Sequence, residues 1–311
     1  MRHCNSRKKS LNRGKVIPFL LLVLLIGIGG YSYARHTKPI HQTPIVDDRK
    51  NGELTPSSHG SSFQIFPRDS TESQQSGSPF SSPYDNLALG IPGKADTIID
   101  RPGYALGYIE YHEQPAWVVY RMTEDEAVTK AAKRNDNFRE DPQVPTGSAT
   151  LADYRRSGYD RGHLAPAADM AFSVQTMKDS FYMSNMSPQK PQFNRGIWKE
   201  LEAQIRHFAI VEKDIYVVTG PVLPETKSVT IGASKVTVPA YYYKVVYDLT
   251  PPEKMIGFLL PNEGSSKRLE EFAVTVDTVE KTTGLDFFKA VPQPKQEQLE
   301  STISIRDWWW Q

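Results

Sequence analysis

Four consecutive residues have side chains that could act together on a phosphate group. They are Asp160, Arg161, Gly162 and His163, and small apolar residues follow them. A guanidinium matches the charge and shape of a phosphate, and an imidazole transfers protons near neutral pH. Glycine adopts backbone angles closed to other residues, so its neighbours can be aimed at one point. This order of residues indicates either a catalytic site or a buried ion pair beside a core histidine.

Two further polar clusters follow along the chain. One is short and contains Asn185, and the other contains Asn194, Glu202 and Arg206. Apolar residues recur every four positions in the second cluster, which predicts the buried stripe of an amphipathic helix; they are Ile197, Leu201 and Ile205. Asn194 then lies at the start of this helix, and Glu202 and Arg206 share one of its faces. Taken alone, that pair has a second explanation as an ordinary surface salt bridge.

Together, the three clusters resemble the DNA/RNA non-specific endonuclease family, which includes secreted bacterial sugar-non-specific nucleases and mitochondrial endonuclease G. The resemblance rests on the Asp-Arg-Gly-His sequence, Asn185 and the helix from Asn194 to Glu202, and it covers about residues 103–288. It implies an α+β fold in which helices flank a central antiparallel sheet. It also implies that a hairpin and a helix form a ββα-metal finger, on which the site lies.

The same resemblance implies how the site would hydrolyse a phosphodiester bond. His163 would take a proton from water. Asn194 would be the single protein ligand of Mg²⁺, with Mn²⁺ as the alternative ion, because Mg²⁺ keeps most of its waters and needs few protein oxygens. Glu202 would orient water beside the ion.

Four more residues would bind phosphate or support the site in this interpretation. Arg161 and Arg206 would bind phosphate charge. Asn185 would fix the site through hydrogen bonds. Asp160 would be a structural acceptor that positions the loop.

Charge gives no global signature of nucleic-acid binding, because the formal net charge is only +1. Binding must therefore rest on local basic patches; the candidates are Lys133, Arg134, Arg139, Arg155, Arg156 and Arg161. The resemblance implies that one basic residue before the Asp-Pro step acts on phosphate, and the sequence leaves Arg134 and Arg139 both open. A zinc site is disfavoured, since Cys4 is the only cysteine and the histidines are not clustered.

The N-terminal segment, residues 1–34, predicts export. Residues 1–15 carry basic residues and no acid, and residues 16–34 are almost wholly apolar. This order fits either an uncleaved signal anchor or a signal peptide removed at a small-x-small site. In both cases the basic end stays in the cytoplasm. The nuclease domain would then be membrane-anchored outside the cytoplasm, or periplasmic or secreted if the leader is cleaved.

Composition divides the remainder into a linker, a domain and a tail. Residues 35–98 are rich in Ser, Pro, Thr, Gln and Gly, which predicts a disordered linker. Residues 99–290 hold the nuclease domain. Its alternating and β-branched runs predict strands at 106–111, 116–121, 215–220, 241–247 and 254–260, and a helix over 266–281.

The tail, residues 291–311, ends in three consecutive tryptophans, 308–310. Indoles at a free terminus are costly to leave in water. The alternation of Ile303, Ile305, Trp308 and Trp310 predicts an extended segment with one apolar face. We expect it to dock on the nuclease domain by adding a strand to a sheet edge. Insertion at a membrane interface or binding to a partner are the alternatives.

Two classes of function fit these observations. The first is an exported, Mg²⁺-dependent endonuclease that cuts DNA and RNA with little sequence preference, since phosphate contacts carry no sequence information. The second is a membrane-tethered nucleic-acid-binding protein of the same fold that does not cleave. The intact set of His163, Asn194 and Glu202 favours the enzyme. A phosphodiesterase acting on other substrates is a third possibility.

Overall fold

The structure is a computed structural model and describes residues 84–311. The strands are β1 (Thr97–Arg101), β2 (Tyr104–Ile109), β3 (Gln114–Thr123), β4 (Asp160–His163), β5 (Met186–Gln189), β6 (Asp214–Pro221), β7 (Thr230–Ile231), β8 (Val236–Thr237), β9 (Tyr241–Asp248), β10 (Lys254–Pro261) and β11 (Ala273–Val274). The helices are α1 (Glu124–Val128), α2 (Leu151–Tyr154), α3 (Val174–Asp179), α4 (Pro191–Asn194), α5 (Ile197–Glu212), α6 (Val276–Thr283) and α7 (Gln293–Glu300). Short 3-10 turns lie at Glu110–His112, Met183–Asn185, Leu269–Phe272 and Ile305–Asp307.

A seven-stranded sheet in the order β1-β2-β3-β6-β9-β10-β11 runs through the centre of the domain. All its neighbouring strands are antiparallel. Successive side chains of a strand point to opposite faces. In β9, Tyr242 and Val246 therefore join the core on the α5 side, whereas Tyr243 and Tyr247 join the core that contains α6. The predicted α+β class and the predicted strand pairs are confirmed.

A separate two-stranded sheet, β4 with β5, is followed in the chain by α4 and α5. This is the hairpin and helix of the expected ββα unit. The apolar stripe of α5 is buried as its spacing predicts, because Ile197, Leu201 and Ile205 each have at most 2% of their surface exposed. The helix thus packs against the central sheet and presents its polar face towards β4.

The folded domain begins earlier than its composition predicts. Leu87, Leu89 and Ile91 pack against the α6-side core. The side-chain amide of Asn86 donates to the Arg101 carbonyl at 2.8 Å. The predicted disordered linker is therefore wrong for residues 84–98, because their scattered apolar residues pack against the sheet. The remaining linker, 35–83, and the export segment, 1–34, lie outside the described residues.

The predicted helix over 266–281 is wrong in its first half. Ala273 and Val274 instead pair with β10 as the edge strand β11. Helix α6 begins only after Thr275, whose side chain accepts from the Thr278 amide and so caps it. The first part of the tail, residues 293–300, forms helix α7.

The tryptophan tail docks on the domain, as predicted, but not as a strand. Residues 305–307 form a 3-10 turn. Trp308 is 3% exposed and packs on Phe208 of α5, with ring centroids 4.7 Å apart. The side chain of Gln204 on α5 binds the tail backbone on either side of Trp310. It donates to the Trp309 carbonyl at 2.8 Å and accepts from the Gln311 amide at 3.0 Å. Across residues 84–311, none of the helices has the length and apolar character that a membrane span requires.

Candidate active site

Strand β4 places the Asp-Arg-Gly-His sequence on the hairpin. His163 is paired with Met186 of β5, and Gly162 with Ser187. A Cβ atom on Gly162 would lie 2.1 Å from the side chain of Gln189, so only glycine fits this close approach. The hairpin therefore has the geometry to hold His163 at a fixed position facing α5.

His163 lies in an apolar enclosure with an unsatisfied ring nitrogen. The ring is in edge contact with Phe138 and Phe181, at centroid distances of 5.5 and 5.0 Å. Its Nε2 is buried and has no hydrogen-bond partner within residues 84–311. Burial, and to a lesser extent the charges of Arg134 and Arg161, together lower the pKa of His163 to about 3. The imidazole is consequently neutral and able to accept a proton.

Asp160 and Asn194 are joined by a hydrogen bond. The Nδ2 of Asn194, at the end of α4, donates to Asp160 at 2.9 Å, and this leaves the amide oxygen to accept from or bind other partners. Arg195 adds two bonds to the same carboxylate, at 2.8 and 2.7 Å. Burial raises the pKa of Asp160, but the bonds from Arg195 and Asn194 outweigh this effect and lower it. Asp160 is thus a charged acceptor that orients Asn194.

Asn185 is fully buried behind the site. Its Oδ1 accepts from the Ala165 amide, and its Nδ2 donates to the carbonyls of Ala165 and Ser180, all at 2.9 Å. These bonds tie the turn before β5 to the loop that follows His163. The expected supporting role fits this position, in which Asn185 does not line the two cavities described below.

Helix α5 brings Glu202 and Arg206 to the site, but they do not pair with each other. Arg206 donates to Asp169 at 2.7 Å, and Asp169 also accepts from the Tyr120 hydroxyl at 2.8 Å. The surface salt bridge considered for Glu202 and Arg206 is therefore wrong. Within the described part of the chain, the Glu202 carboxylate forms no direct hydrogen bond or ion pair. Burial raises its pKa, and the charge of Lys244 opposes that shift.

His163, Asn194, Glu202 and Arg206 line one cavity of about 330 Å³, here called the His163 cavity. Its lining is Arg134, Arg161, His163, Pro166, Ala167, Ala168, Asn194, Arg195, Lys199, Glu202 and Arg206. Basic side chains outnumber its single carboxylate, so the cavity attracts anions. An adjacent pocket of about 440 Å³ shares Arg134, Arg161, Asn194 and Arg195 with it.

The structure also distinguishes Arg134 from Arg139, the two candidates in the sequence for the basic residue that acts on phosphate. Arg134 lines the His163 cavity. Arg139 does not line it: its guanidinium lies 3.8 Å from the Tyr182 ring and donates to the Lys178 carbonyl at 2.8 Å. The sequence patterns single out neither Arg195 nor Asp169. Arg195 follows Asn194 directly and Asp169 lies six residues after His163, but only the folded contacts distinguish them from their neighbours.

The donor atoms of the His163 cavity suit a hard cation that keeps most of its water. Asn194 offers an amide oxygen and Glu202 a carboxylate, whereas the cavity has only one histidine and no cysteine. A protein oxygen or two is the usual protein share of a Mg²⁺ site. Among residues 84–311, three or more acidic, histidine or cysteine ligands converge only at Asp277, Glu280 and Glu300, away from this cavity.

Comparison with known proteins gives consistent matches. The model of the DNA/RNA non-specific endonuclease family matches residues 82–294. Mitochondrial nuclease of Saccharomyces cerevisiae is 35% identical over 240 residues, which are 70% of this chain and 73% of that protein. Nuclease C1 of Cunninghamella echinulata var. echinulata is 37% identical over 218 residues, 65% of this chain and 86% of that protein. Human mitochondrial endonuclease G is 35% identical over 212 residues, covering 64% and 71%.

A solved structure agrees with these matches. A chain in the crystal structure of the EndoG/EndoGI complex superposes with a TM-score of 0.62 and 31% identity, covering 67% of this chain and 92% of that one. Fold and sequence together define the protein as a nuclease, a phosphodiester hydrolase whose substrates are nucleic acids. The chain belongs to the DNA/RNA non-specific endonuclease family, a family of metal-dependent enzymes.

Proposed function

We propose that this chain hydrolyses internal phosphodiester bonds of DNA and RNA with little sequence preference, using Mg²⁺ or alternatively Mn²⁺. The observation that carries the proposal is the buried Nε2 of His163, which has no partner within residues 84–311 although its ring lines an arginine-rich cavity. A buried polar atom without a partner is costly. A functional site explains such a cost, because the atom gains a hydrogen-bond partner when substrate or water is present during catalysis.

His163 acts as the general base in this proposal. Its neutral imidazole can accept the proton of an attacking water. A pKa of about 3 is low for a base. A bound phosphate would bring negative charge against Arg134 and Arg161 and so offset their contribution to that low value. Phosphate binding would therefore make His163 a stronger base when substrate is present.

The arginines of the cavity bind the phosphate. Arg161 is exposed, and its guanidinium lies 4.3 Å from the ring of Phe138, which limits where it can point. Arg206 keeps its place through Asp169, at 2.7 Å. Guanidinium groups bind phosphate oxygens through charge-assisted hydrogen bonds. Because all these contacts address the backbone of the nucleic acid, they predict little sequence preference.

Asn194 supplies the protein oxygen for the ion, and Glu202 orients water beside it. Asp160 accepts a hydrogen bond from Nδ2 of Asn194 and so fixes the side-chain amide. The amide oxygen of Asn194 then points away from Asp160. When bound, a divalent ion neutralises charge on the phosphate and on the departing 3′ oxygen. The Glu202 carboxylate is left without a direct partner inside the described domain, so it is available to hold water.

A plasmid-nicking assay with and without EDTA tests the activity. We expect wild-type protein to nick DNA and cut RNA only without EDTA. His163→Ala should cut at least ~10²-fold more slowly, the usual scale for a general base. His207→Ala is the matched control, because this histidine lies on α5 but does not line the His163 cavity.

The alternative, a nucleic-acid-binding protein without cleavage, makes a different prediction. Wild-type protein would then retard DNA in a gel but leave plasmid intact with either ion. Equal cleavage by wild type and His163→Ala, in contrast, would leave the nuclease standing and remove His163 as its base.

We also propose that residues 1–34 export the protein, either as an anchor or as a cleaved leader. The support is the basic and then apolar order of this segment. Several relatives are named as mitochondrial, so import into an organelle is the competing destination. Cell fractionation of the full chain and of a variant lacking residues 1–34 decides between them. Recovery of both proteins in the cytosol would contradict export.

A further inference from the structure

A lysine side chain is fully buried where the strand pattern calls for an apolar one. Lys244 lies in the middle of β9, between β6 and β10, with none of its surface exposed. Its face of the strand is shared by Tyr242 and Val246, which belong to the core against α5. An ammonium group in such a core is costly unless an opposite charge compensates it.

The direct contacts of this ammonium do not neutralise it. Lys244 Nζ donates to the Thr219 hydroxyl at 3.0 Å and lies 3.5 Å from the Leu164 carbonyl oxygen. It also lies 4.6 Å from the centre of the Trp198 ring. Within residues 84–311, no carboxylate oxygen lies within the 4.0 Å of an ion pair. Its compensating charge must therefore act from slightly further away.

The charges of four other groups act on the pKa of Glu202. They are Lys244 from β9, Asp169 from the loop after β4, Arg206 from α5 and Arg134 from the loop before α2. Asp169 and Arg206 already form an ion pair at 2.7 Å, so their charges largely cancel each other. The geometry points from Lys244 to Glu202, because the Trp198 ring that Nζ approaches at 4.6 Å lies one turn before Glu202 on the same face of α5.

We propose that Lys244 is a positioning residue, whose buried ammonium is the counter-charge of Glu202 and holds that carboxylate in place in the lining of the His163 cavity. Lys244 does not line that cavity, so a substrate bound there would not contact it. It acts through Glu202, and through its closeness to Leu164 it also supports the residue after His163. The catalytic part of this inference rests on the proposed nuclease function.

A double-mutant cycle between Lys244→Met and Glu202→Gln tests the inference. Methionine has a similar length and no charge, so it fills the same core space. In the wild-type background, Lys244→Met should lower kcat about 10- to 100-fold, the usual effect of losing a group that orients a metal site's partners, with little change in KM. In the Glu202→Gln background, the same change should have almost no effect. Equal losses in both backgrounds would overturn the inference, since they would indicate a general packing defect.

Stability provides a second readout that does not need activity. In urea unfolding with EDTA, Lys244→Met should lower the midpoint when Glu202 is present and should not lower it when residue 202 is neutral. Additive midpoints would overturn the inference even if nuclease activity were absent. A protein that shows this coupling but never cuts nucleic acid would instead refute the proposed function alone.

Two milder variants guard against misfolding and give a control. Thr219→Val removes the hydroxyl that holds Nζ at 3.0 Å, and should lower kcat less than Lys244→Met but with the same dependence on Glu202. Tyr243→Phe is the matched control. It removes one partly buried hydrogen bond, to the Ala116 carbonyl at 2.9 Å, from the other face of the same strand. It should leave kcat unchanged, and a loss as large as that of Thr219→Val would contradict the assigned route through Glu202.

Discussion

Trp308 should be the main energetic contribution of the C-terminal tail, and Trp308→Ala tests this. The side chain is 3% exposed, its ring packs on Phe208 at 4.7 Å, and the ammonium of Lys254 lies 5.0 Å from its centre. Truncating a buried tryptophan costs about 3–5 kcal/mol through lost burial and the cavity left behind. Trp309→Ala is the matched control, because this neighbour is 63% exposed. It should change stability by no more than about 0.5 kcal/mol.

Urea and thermal unfolding of the two variants measure this difference. For a domain of this size, each kcal/mol lowers Tm by about 2–4 °C, so Trp308→Ala should melt about 6–20 °C below wild type. Trp309→Ala should melt close to wild type. Binding to liposomes should be the same for all three proteins, because the indole of Trp308 is already occupied by the domain.

Two outcomes would refute this reasoning. Equal melting of Trp308→Ala and Trp309→Ala would show that the tail contributes nothing by packing. Unchanged melting together with lost liposome binding, after deletion of residues 301–311, would identify the tail as a membrane segment instead.

Three further predictions concern metal, pH and the domain boundary. Asn194→Ala should raise the Mg²⁺ concentration for half-maximal activity at least ~10-fold and change DNA binding in EDTA much less; Gln192→Ala, on the exposed side of α4, should do neither. His163 is neutral in the folded protein because its pKa falls from 6.5 to about 3. Below pH ~6.5 the unfolded chain therefore binds a proton at this histidine and the folded chain does not. The free energy of unfolding is consequently highest above pH ~6.5 and decreases as pH falls, by about 2 kcal/mol at pH 5. In His163→Asn, urea unfolding should no longer show this loss of stability at low pH. If wild type and His163→Asn lost stability with the same pH dependence, the burial argument would be contradicted. Limited proteolysis should remove the chain before residue 84 and leave an active core, whereas a first cut within 84–98 would contradict the packing of Leu87 and Ile91.

Features that depend on neighbours in the sequence could be predicted from it. The spacing of Ile197, Leu201 and Ile205 gave helix α5, because a helix repeats its buried face about every four residues. The β-branched and aromatic runs at 241–247 and 254–260 predicted strands in the same way, because the preference for a strand also depends on residues that are neighbours in the sequence. The residue types of the Asp-Arg-Gly-His sequence indicated phosphate chemistry before any contact was known, since guanidinium and imidazole carry that chemistry wherever they lie.

Local patterns were misleading where a distant partner decides the structure. Residues 84–98 have the composition of a linker, yet they fold because the sheet offers them apolar partners. The tail has the alternation of a strand, yet α5 and β10 offer it an aromatic surface, and Trp310 packs on Phe258 of β10 at 6.1 Å between ring centres.

The residue types in the sequence indicate which chemistry is possible, whereas the fold specifies which side chains lie close enough to share it. Asp169 reaches Arg206 across 37 positions of chain, and Lys244 lies beside Leu164 across 80. No local period encodes such pairs, because they depend on how the β9 register and the position of α5 bring remote backbone together. The choice of Arg134 over Arg139 at the cavity has the same origin. Each arginine has a suitable charge, and only the folded loop places one of them beside His163.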